Sequence, residues 1–303
     1  MILCAIPAFG QAADWPQWLG AKRDANWNET GIIDSFPEGG PTLRWKAKLG
    51  GGYSGPSVAN GKVFVMDRLA KPIKSGKAKF LHDGPPPGNI NFVRKLLPGV
   101  ERVVCLNEKD GDAAWMHEWD CDYTTVAAYA IGPRVTPTVD GNRVYALGAE
   151  GNLFCLNTQN GKVIWSRDFK ADYGLKIPEW GTSSHPLVDG DQLICVVGGE
   201  GSTVVSFDKK TGKENWKIKL GIEQRNASPV HADGKIYLPM LENPAGEGGA
   251  ASAAVAQLLA PARRRRHRAT GGRAPRIRVA WPYRMVRLFL VGSWTHRRHR
   301  CCW

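Results

Sequence analysis

No stretch of 18 consecutive apolar residues occurs in the 303-residue chain, so no single-pass transmembrane helix is indicated. Cysteine is scarce. Cys4, Cys105, Cys121, Cys155, Cys195, Cys301 and Cys302 show none of the paired spacings of structural zinc sites. His82, His117, His185 and His231 are scattered and form no metal-ligand or triad spacing. Lysine and acidic residues are both missing from residues 248–303, which nevertheless hold 13 arginines. Residues 1–247 carry 28 basic and 28 acidic side chains, so the whole formal charge of +13 belongs to the tail. A nucleic acid is therefore not expected as a partner of the main body.

The tail, "RRRRHRATGGRAPRIRVAWPYRMVRLFLVGSWTHRRHRCCW" (Arg263–Trp303), has neither strand alternation nor a helical period. Arginine without lysine, amid alanine, glycine and proline, is what GC-rich DNA encodes out of frame. Residues 247–303 are accordingly expected to be an out-of-frame product, disordered or non-native, with the break near Gly246–Ala250. The competing reading is a basic arm that neutralises phosphates of a nucleic acid or an acidic membrane. At the other end, "MILCAIPAFGQAADW" resembles the close of a secretory signal peptide. Residues 1–12 are read as its remnant and the protein as periplasmic or secreted; a short disordered apolar terminus is the alternative.

Glycine (35 residues) and tryptophan (12) are plentiful, and they recur in phase. Trp115, Trp165 and Trp216 lie 50 and 51 residues apart, each after a turn glycine: Gly111, Gly161 and Gly212. The segments are "NEKDGDAAW", "NTQNGKVIW" and "DKKTGKENW". A second motif recurs upstream, Pro137…Asp140-Gly141, Pro186…Asp189-Gly190 and Pro229…Asp233-Gly234. A period of this length signals a repeat architecture. Within one unit, "RVTPTV", "NRVYALG", "NLFCLN" and "KVIWSRDF" read as four strands joined by glycine turns, the last an Asn-Gly type I′ turn. A lone four-stranded meander leaves a face unburied, so successive sheets must stack. Radial stacking makes propeller blades. Lys162 and Lys213 then point to solvent, and the tryptophans fill the seams between blades. Cys105 and Cys155, in "VVCLN" and "LFCLN", recur as interior packing residues.

The units "LFCLNTQNGKVIW" and "VVSFDKKTGKENW" resemble the PQQ-like (pyrroloquinoline quinone-like) propeller repeat. The opening "DWPQWLGAKRDANWNETGIIDSF" and the stretch "GPRVTPTVDGNRVYALGAEGNLFCLN" are similar to secreted bacterial members of that group. The resemblance runs from about Asp14 to Met240. It implies a ring of seven or eight blades. It also implies one of two roles. Quinoprotein alcohol and sugar dehydrogenases hold PQQ on the channel axis with Ca²⁺ and an Asp base. The propeller lipoprotein of the outer-membrane barrel assembly machinery is non-catalytic.

The expected fold is all-β: a partial β-propeller of four-stranded antiparallel blades, about half of such a ring. Blades are expected over 53–119, 132–169 and 181–220, with a partial one over 226–246. Residues 42–49, "TLRWKAKL" with Trp45, read as a ring-closing strand. An open arc would leave two blade faces bare and the protein poorly soluble. Residues 69–101 form a Pro/Gly-rich, basic insertion, read either as a partner-docking loop or as a solvated excursion. Arg134, Trp180, Ser183, Ser184, His185, Asn226 and Ser228 lie just before or within first strands, which in a propeller face the channel. Arg134, Trp180, Ser183 and Asn226 are the candidate channel-mouth binding residues; the alternative has Arg134 bridging blades and Trp180 packing. No acidic constellation matching a quinone site can be picked out, and Cys301-Cys302 lies in the tail. The expected function is a non-catalytic periplasmic or secreted scaffold for a protein or an extracellular polymer, with no cofactor. PQQ with Ca²⁺ enters only under the dehydrogenase alternative.

Overall fold

The computed structural model describes residues 13–27, 29, 34–73, 78–82, 84–85, 87–199, 204–219, 228–232, 235–241, 253–259 and 277–280. Residues 1–12, Asn226, Cys301-Cys302 and most of the tail lie outside that set. Four antiparallel four-stranded sheets follow one another along the chain. The first holds β1 (Ser57–Ala59), β2 (Lys62–Ala70), β3 (Gly99–Asn107) and β4 (Ala113–Asp120). The second holds β5 (Thr138–Asp140), β6 (Arg143–Leu147), β7 (Asn152–Asn157) and β8 (Val163–Asp168). The third holds β9 (Leu187–Asp189), β10 (Gln192–Val196), β11 (Val204–Asp208) and β12 (Glu214–Ile218). In the fourth, β13 (Val230–Ala232) and β14 (Lys235–Leu241) are joined by β15 (Ala253–Leu259) and β16 (Ile277–Ala280).

Strand alternation explains the stacking, because successive residues face opposite neighbours. Phe64, Met66, Val103 and Cys105 of the first sheet meet Val139, Val144, Ala146 and Leu156 of the second. The other parity of the second sheet, Tyr145, Leu147, Leu153 and Cys155, meets Leu193, Cys195, Val205 and Phe207 of the third. Ile194, Val196 and Val204 then meet Ile236 and Leu238 of the fourth. Both faces of the middle sheets are thus buried, which is why "VYAL" and "LICVV" run apolar without interruption. The first strands β1, β5, β9 and β13 approach one another in that order, the arrangement of propeller blades around an axis. Thr138 Oγ1 donates to the Pro186 carbonyl (3.2 Å), and Ser228 Oγ accepts from His185 N (3.0 Å), tying neighbouring sheets near that axis.

Three of the repeat tryptophans dock on the turn of the following sheet. The indoles of Trp45, Trp115 and Trp165 donate to the carbonyls of Glu108 (2.8 Å), Thr158 (3.0 Å) and Lys209 (3.2 Å). A Cβ added at Gly111 or Gly161 would lie 2.5 Å from the Trp45 or Trp115 ring, and one at Gly212 would lie 2.6 Å from Trp165. Glycine is required there twice over, since φ is also positive at all three (+78°, +69°, +69°). Trp216 donates instead to Gln192 Oε1 within its own sheet (2.8 Å). A β-bulge precedes each of the later three tryptophans, between Cys105/Leu106, Cys155/Leu156 and Ser206/Phe207. It inserts one residue and re-aims the ring towards the adjoining sheet.

Several details differ from the sequence reading. The Asn160-Gly161 and Thr211-Gly212 turns are not two-residue type I′ turns. Gly161 N bonds Asn157 O and Asn157 N bonds Lys162 O, a four-residue loop in which the glycine alone has positive φ. The side chain of Asn157 or Asp208 holds the loop by accepting from backbone N–H groups inside it. The type I′ pattern occurs at Asn60-Gly61 (φ +54° and +71°). Residues 42–49 join no sheet; Trp45 and Ala47 cover Val63, Val65, Val104 and Leu106 on the free face of the first sheet. Residues 69–70 and 99–101 of the insertion are strand, leaving 71–98 as the excursion. The outer strand β8 stops at Asp168, which caps a short helix α1 (Phe169–Tyr173) by accepting from Lys170 N and Ala171 N. Beyond residue 246 the described residues are two strands, β15, which precedes the arginine-rich stretch, and β16 within it. The open edge of β14 offers unpaired N–H and C=O groups that an extended segment satisfies.

Candidate functional site

Three blade lead-ins converge at the residues singled out in the sequence. Arg134, four residues before β5, donates from Nε to the Trp180 carbonyl (2.6 Å) and from Nη2 to the Tyr129 carbonyl (3.2 Å). Its guanidinium lies over the Tyr53 ring, 4.4 Å from the centroid. Tyr129 packs edge-on against Trp180 at 4.7 Å. Tyr53 belongs to the first blade's lead-in, Arg134 to the second's and Trp180 to the third's, so one cation ties three successive units. The cluster is partly open to solvent: Tyr53 is 43% exposed, Tyr129 37% and Ile131 51%. Ser183 is half-buried and Ser184 is buried. Asn226 lies outside the described residues.

The insertion builds one wall of this surface. Phe80 bridges Lys95, Arg94 bridges Val126, and Leu97 bridges Tyr123. Arg94 also donates to the Thr124 carbonyl (2.7 Å) and takes His82 Nε2 on its backbone N–H (2.8 Å). Asn91 Oδ1 accepts from the Tyr129 hydroxyl at 3.3 Å. Exposed Phe80 and Phe92 lie on the same insertion, with Lys95 over the Phe80 ring at 4.8 Å. The described part of the excursion is therefore anchored on the 121–131 segment. It reaches the Arg134 cluster through the Asn91–Tyr129 contact.

A second feature had no signal in the sequence reading. The segment Trp15–Arg23 runs along the first strands. Trp15 pairs with Val58 through two 2.9 Å bonds, and the Pro16 carbonyl accepts from Val139 N (2.8 Å). Trp18 stacks on His185 at 4.8 Å, 15° from parallel. Arg23 is 5% exposed and donates to the carbonyls of Pro229 (2.8 Å) and Pro186, and to Gln17 Oε1 (3.0 Å). Burial lowers its pKa to about 10. Burial, helped by the nearby Arg23 charge, pushes His185 down to about 4. The opening "DWPQWLG" reads only as a family likeness, and nothing local says that Arg23 would meet a residue some 200 positions on.

Most acid–base groups elsewhere are engaged within the fold, although the buried Glu101 Oε2 and His117 Nε2 have no hydrogen-bond partner. Glu101 is fully buried; its Oε1 accepts from the Tyr123 hydroxyl (2.5 Å) and Ala149 N (3.0 Å), and desolvation raises its pKa. An open cleft of about 570 Å³ is lined by Asp120, Asp122, Glu150, Asp168, Lys71 and Lys170, among others. Each of its carboxylates already has a partner. Lys71 pairs with Asp120, Lys170 with Glu150 (3.2 Å), Gly99 N with Asp122 (3.4 Å), and Asp168 caps α1. Cys105, Cys155 and Cys195 are buried free thiols, and burial raises Cys105 to about 11 and Cys155 to about 12. Among the described residues no three His, Cys, Asp or Glu side chains converge as a metal set.

Residues 38–243 match the sequence profile of the PQQ_2 family, described as outer membrane protein assembly factor BamB. The chain is 25% identical over 191 residues to BamB of Burkholderia pseudomallei, covering 57% of this chain and 46% of that protein. It is 24% identical over 111 residues to polyvinylalcohol dehydrogenase of a Pseudomonas species, covering 34% of this chain and 16% of that protein. Among solved structures, BamB from Moraxella catarrhalis aligns over 55% of this chain and 42% of its own, with 15% identity and a TM-score of 0.35. Quinohemoprotein alcohol dehydrogenase from Comamonas testosteroni aligns over 82% and 40%, with 13% identity and a TM-score of 0.49. The chain thus spans less than half the length of these relatives. With the repeated four-stranded sheets, the turn glycines and the matched span all in one phase, this chain belongs to the PQQ_2, BamB-type family of propeller-repeat proteins.

Proposed function

We propose that the protein is a non-catalytic, periplasmic or secreted propeller that binds a protein or an extracellular polymer on its channel-mouth face. The observation that carries this reading is the Tyr53–Tyr129–Arg134–Trp180 cluster. It is partly exposed and is met by the insertion through Asn91, while one oxygen of the buried carboxylate Glu101 accepts from Tyr123 and Ala149. Aromatic rings with arginine are the side chains that most often carry binding energy at interfaces. The name of the BamB relatives, an assembly factor, supports docking to other proteins as the kind of role. No helix among the described residues is long and apolar enough to cross a membrane.

The test is capture of partners by the immobilised protein from periplasmic and culture fractions. A reproducible set of bound proteins or polymers should be lost with Trp180→Ala and Arg134→Ala while circular dichroism stays unchanged. Equal capture by wild type and both variants would sink the mouth as the binding face.

The alternative is a PQQ-dependent alcohol or sugar dehydrogenase, favoured by the similarity to polyvinylalcohol dehydrogenase. One arrangement among the described residues weighs against that cofactor. A buried guanidinium, Arg23, occupies the carbonyls at the start of the third and fourth blades, where a second cation would be repelled. Adding PQQ with Ca²⁺ and following quinone absorbance and dye reduction decides between the two readings.

A further inference from the structure

The first strands already have an occupant. Between Trp15 and Arg23 the chain meets all four units in order: Val58 of the first sheet, Val139 of the second, His185 and Pro186 leading into the third, and Pro229 leading into the fourth. Arg23 ends the run, and its donors spread over three separate segments. Nε reaches Gln17 Oε1 within the strap, Nη2 reaches the Pro186 carbonyl, and Nη1 reaches the Pro229 carbonyl. Among the described residues no carboxylate stands within ion-pair distance of it, so its charge is met by backbone and amide dipoles. Trp18, one turn earlier, lies flat on His185, whose Nδ1 contacts Ser228 Oγ (3.0 Å) at the fourth blade.

Burying a guanidinium is costly unless its donors are satisfied. A lysine could not do the same job, because the planar fork of arginine reaches several acceptors at once while an ammonium presents a point charge. Proline at 186 and 229 also matters. A proline has no N–H, so these residues present only their carbonyls to the guanidinium. The Pro186 carbonyl takes Thr138 Oγ1 as well, which fixes its direction from the second blade.

We infer that residues 15–23 are a built-in axial plug, with Arg23 as its resident cation and the Trp18–His185 stack as its flat layer, so that this chain fills its own blade junction and leaves no axial seat for a quinone–metal pair. The plug does for the first strands what a bound cation and a planar ligand would do. It gathers carbonyls from separate blades onto one charge. The inference stands apart from the mouth-binding reading, since it concerns the first strands and not the exposed cluster.

The experiment uses the full chain with Arg23→Ala and Arg23→Lys; alanine is chosen over glycine because Arg23 has positive φ (+56°), where glycine would relieve backbone strain. Arg23→Ala opens a guanidinium-sized hole ringed by carbonyls. Its Tm should fall by several degrees, and guanidinium chloride at low millimolar concentration, far below denaturing levels, should restore part of the loss. Wild type should gain nothing from the same addition. A wild-type Tm for Arg23→Ala overturns the plug, and so does an equal response of both proteins to guanidinium. Should Arg23→Ala fail to fold, Arg23→Lys is read instead: an intermediate Tm supports the plug and a wild-type Tm overturns it. Wild type titrated with PQQ and Ca²⁺ gives a further readout, without any variant. An unchanged quinone spectrum supports the plug; saturable one-to-one binding overturns it. Partner capture can fail while these melting and absorbance results hold, and the reverse.

Discussion

Two buried titratable residues give this protein opposite pH responses. His185 has its pKa pushed down to about 4 by burial, against 6.5 for a free imidazole. The unfolded chain therefore binds more protons between those values, and stability is lost as pH falls from about 6.5 to about 4. The full span is worth on the order of 3 kcal/mol. Protonation should also unstack Trp18, so intrinsic fluorescence and Tm should move together through that window, and His185→Gln should flatten both. Glu101 runs the other way. Desolvation raises its pKa, so its contribution is complete below the ordinary carboxylate range and is lost as pH rises through the folded value. Glu101→Gln keeps the Oε1 acceptor for Tyr123 and Ala149 and cannot ionise. Its Tm should match wild type in acid and equal or exceed it at pH 7, whereas Glu101→Ala should be lower at every pH. Neither effect was legible in the sequence: a lone histidine in "SSHP" and a glutamate in "GVERVV" carry no sign of what lies above them.

At the scale of the element, the repeating device is a tryptophan of one sheet seated on the turn glycine of the next. Gly161 is held at φ +69° and its missing Cβ makes room for Trp115. Gly161→Ala should cost about 1–2 kcal/mol for the left-handed backbone alone, with a further loss from displacing the indole. Trp115→Ala removes the displaced group. The double variant should consequently be less destabilised than the sum of the singles, with a coupling of about 1 kcal/mol in urea melts. Additive losses would mean that the contact is incidental. The phase of glycine and tryptophan was readable because both recur at a fixed interval. The bulge between them was not. It depends on register between two strands, and a one-residue insertion leaves no mark in an apolar–polar pattern. The helix α1 did leave marks, with Asp168 as its cap and Gly174 as its left-handed end, six residues apart in "DFKADYG". The strand period running into it hid them.

The whole molecule is held by cores that each belong to two sheets. Cys105 lies between the first and second, and Cys155 and Cys195 between the second and third. Sheets that share a core should open together, because peeling one away strips the next of its partner atoms. Thiol labelling read by mass spectrometry at these three sites should begin at the same denaturant concentration, and should be undetectable in the native state. Early reaction at Cys195 alone would show that the third sheet opens independently of the second. The binding surface also exists only at this scale. Tyr53, Arg134 and Trp180 come from three repeats, and their meeting requires the lead-ins of three blades to sit side by side.

Period, turn chemistry and strand alternation, all carried by near neighbours in the chain, determined by themselves that this protein is a row of four-stranded sheets stacked through tryptophan seams. They are local quantities, so they survive being read one unit at a time. Tertiary structure alone decided where Arg23 goes, which rings Arg134 gathers, and which segment pairs with the edge of β14. Those contacts join residues far apart in sequence, and the dipoles, carbonyls and ring faces that select them come into existence only after the sheets have packed.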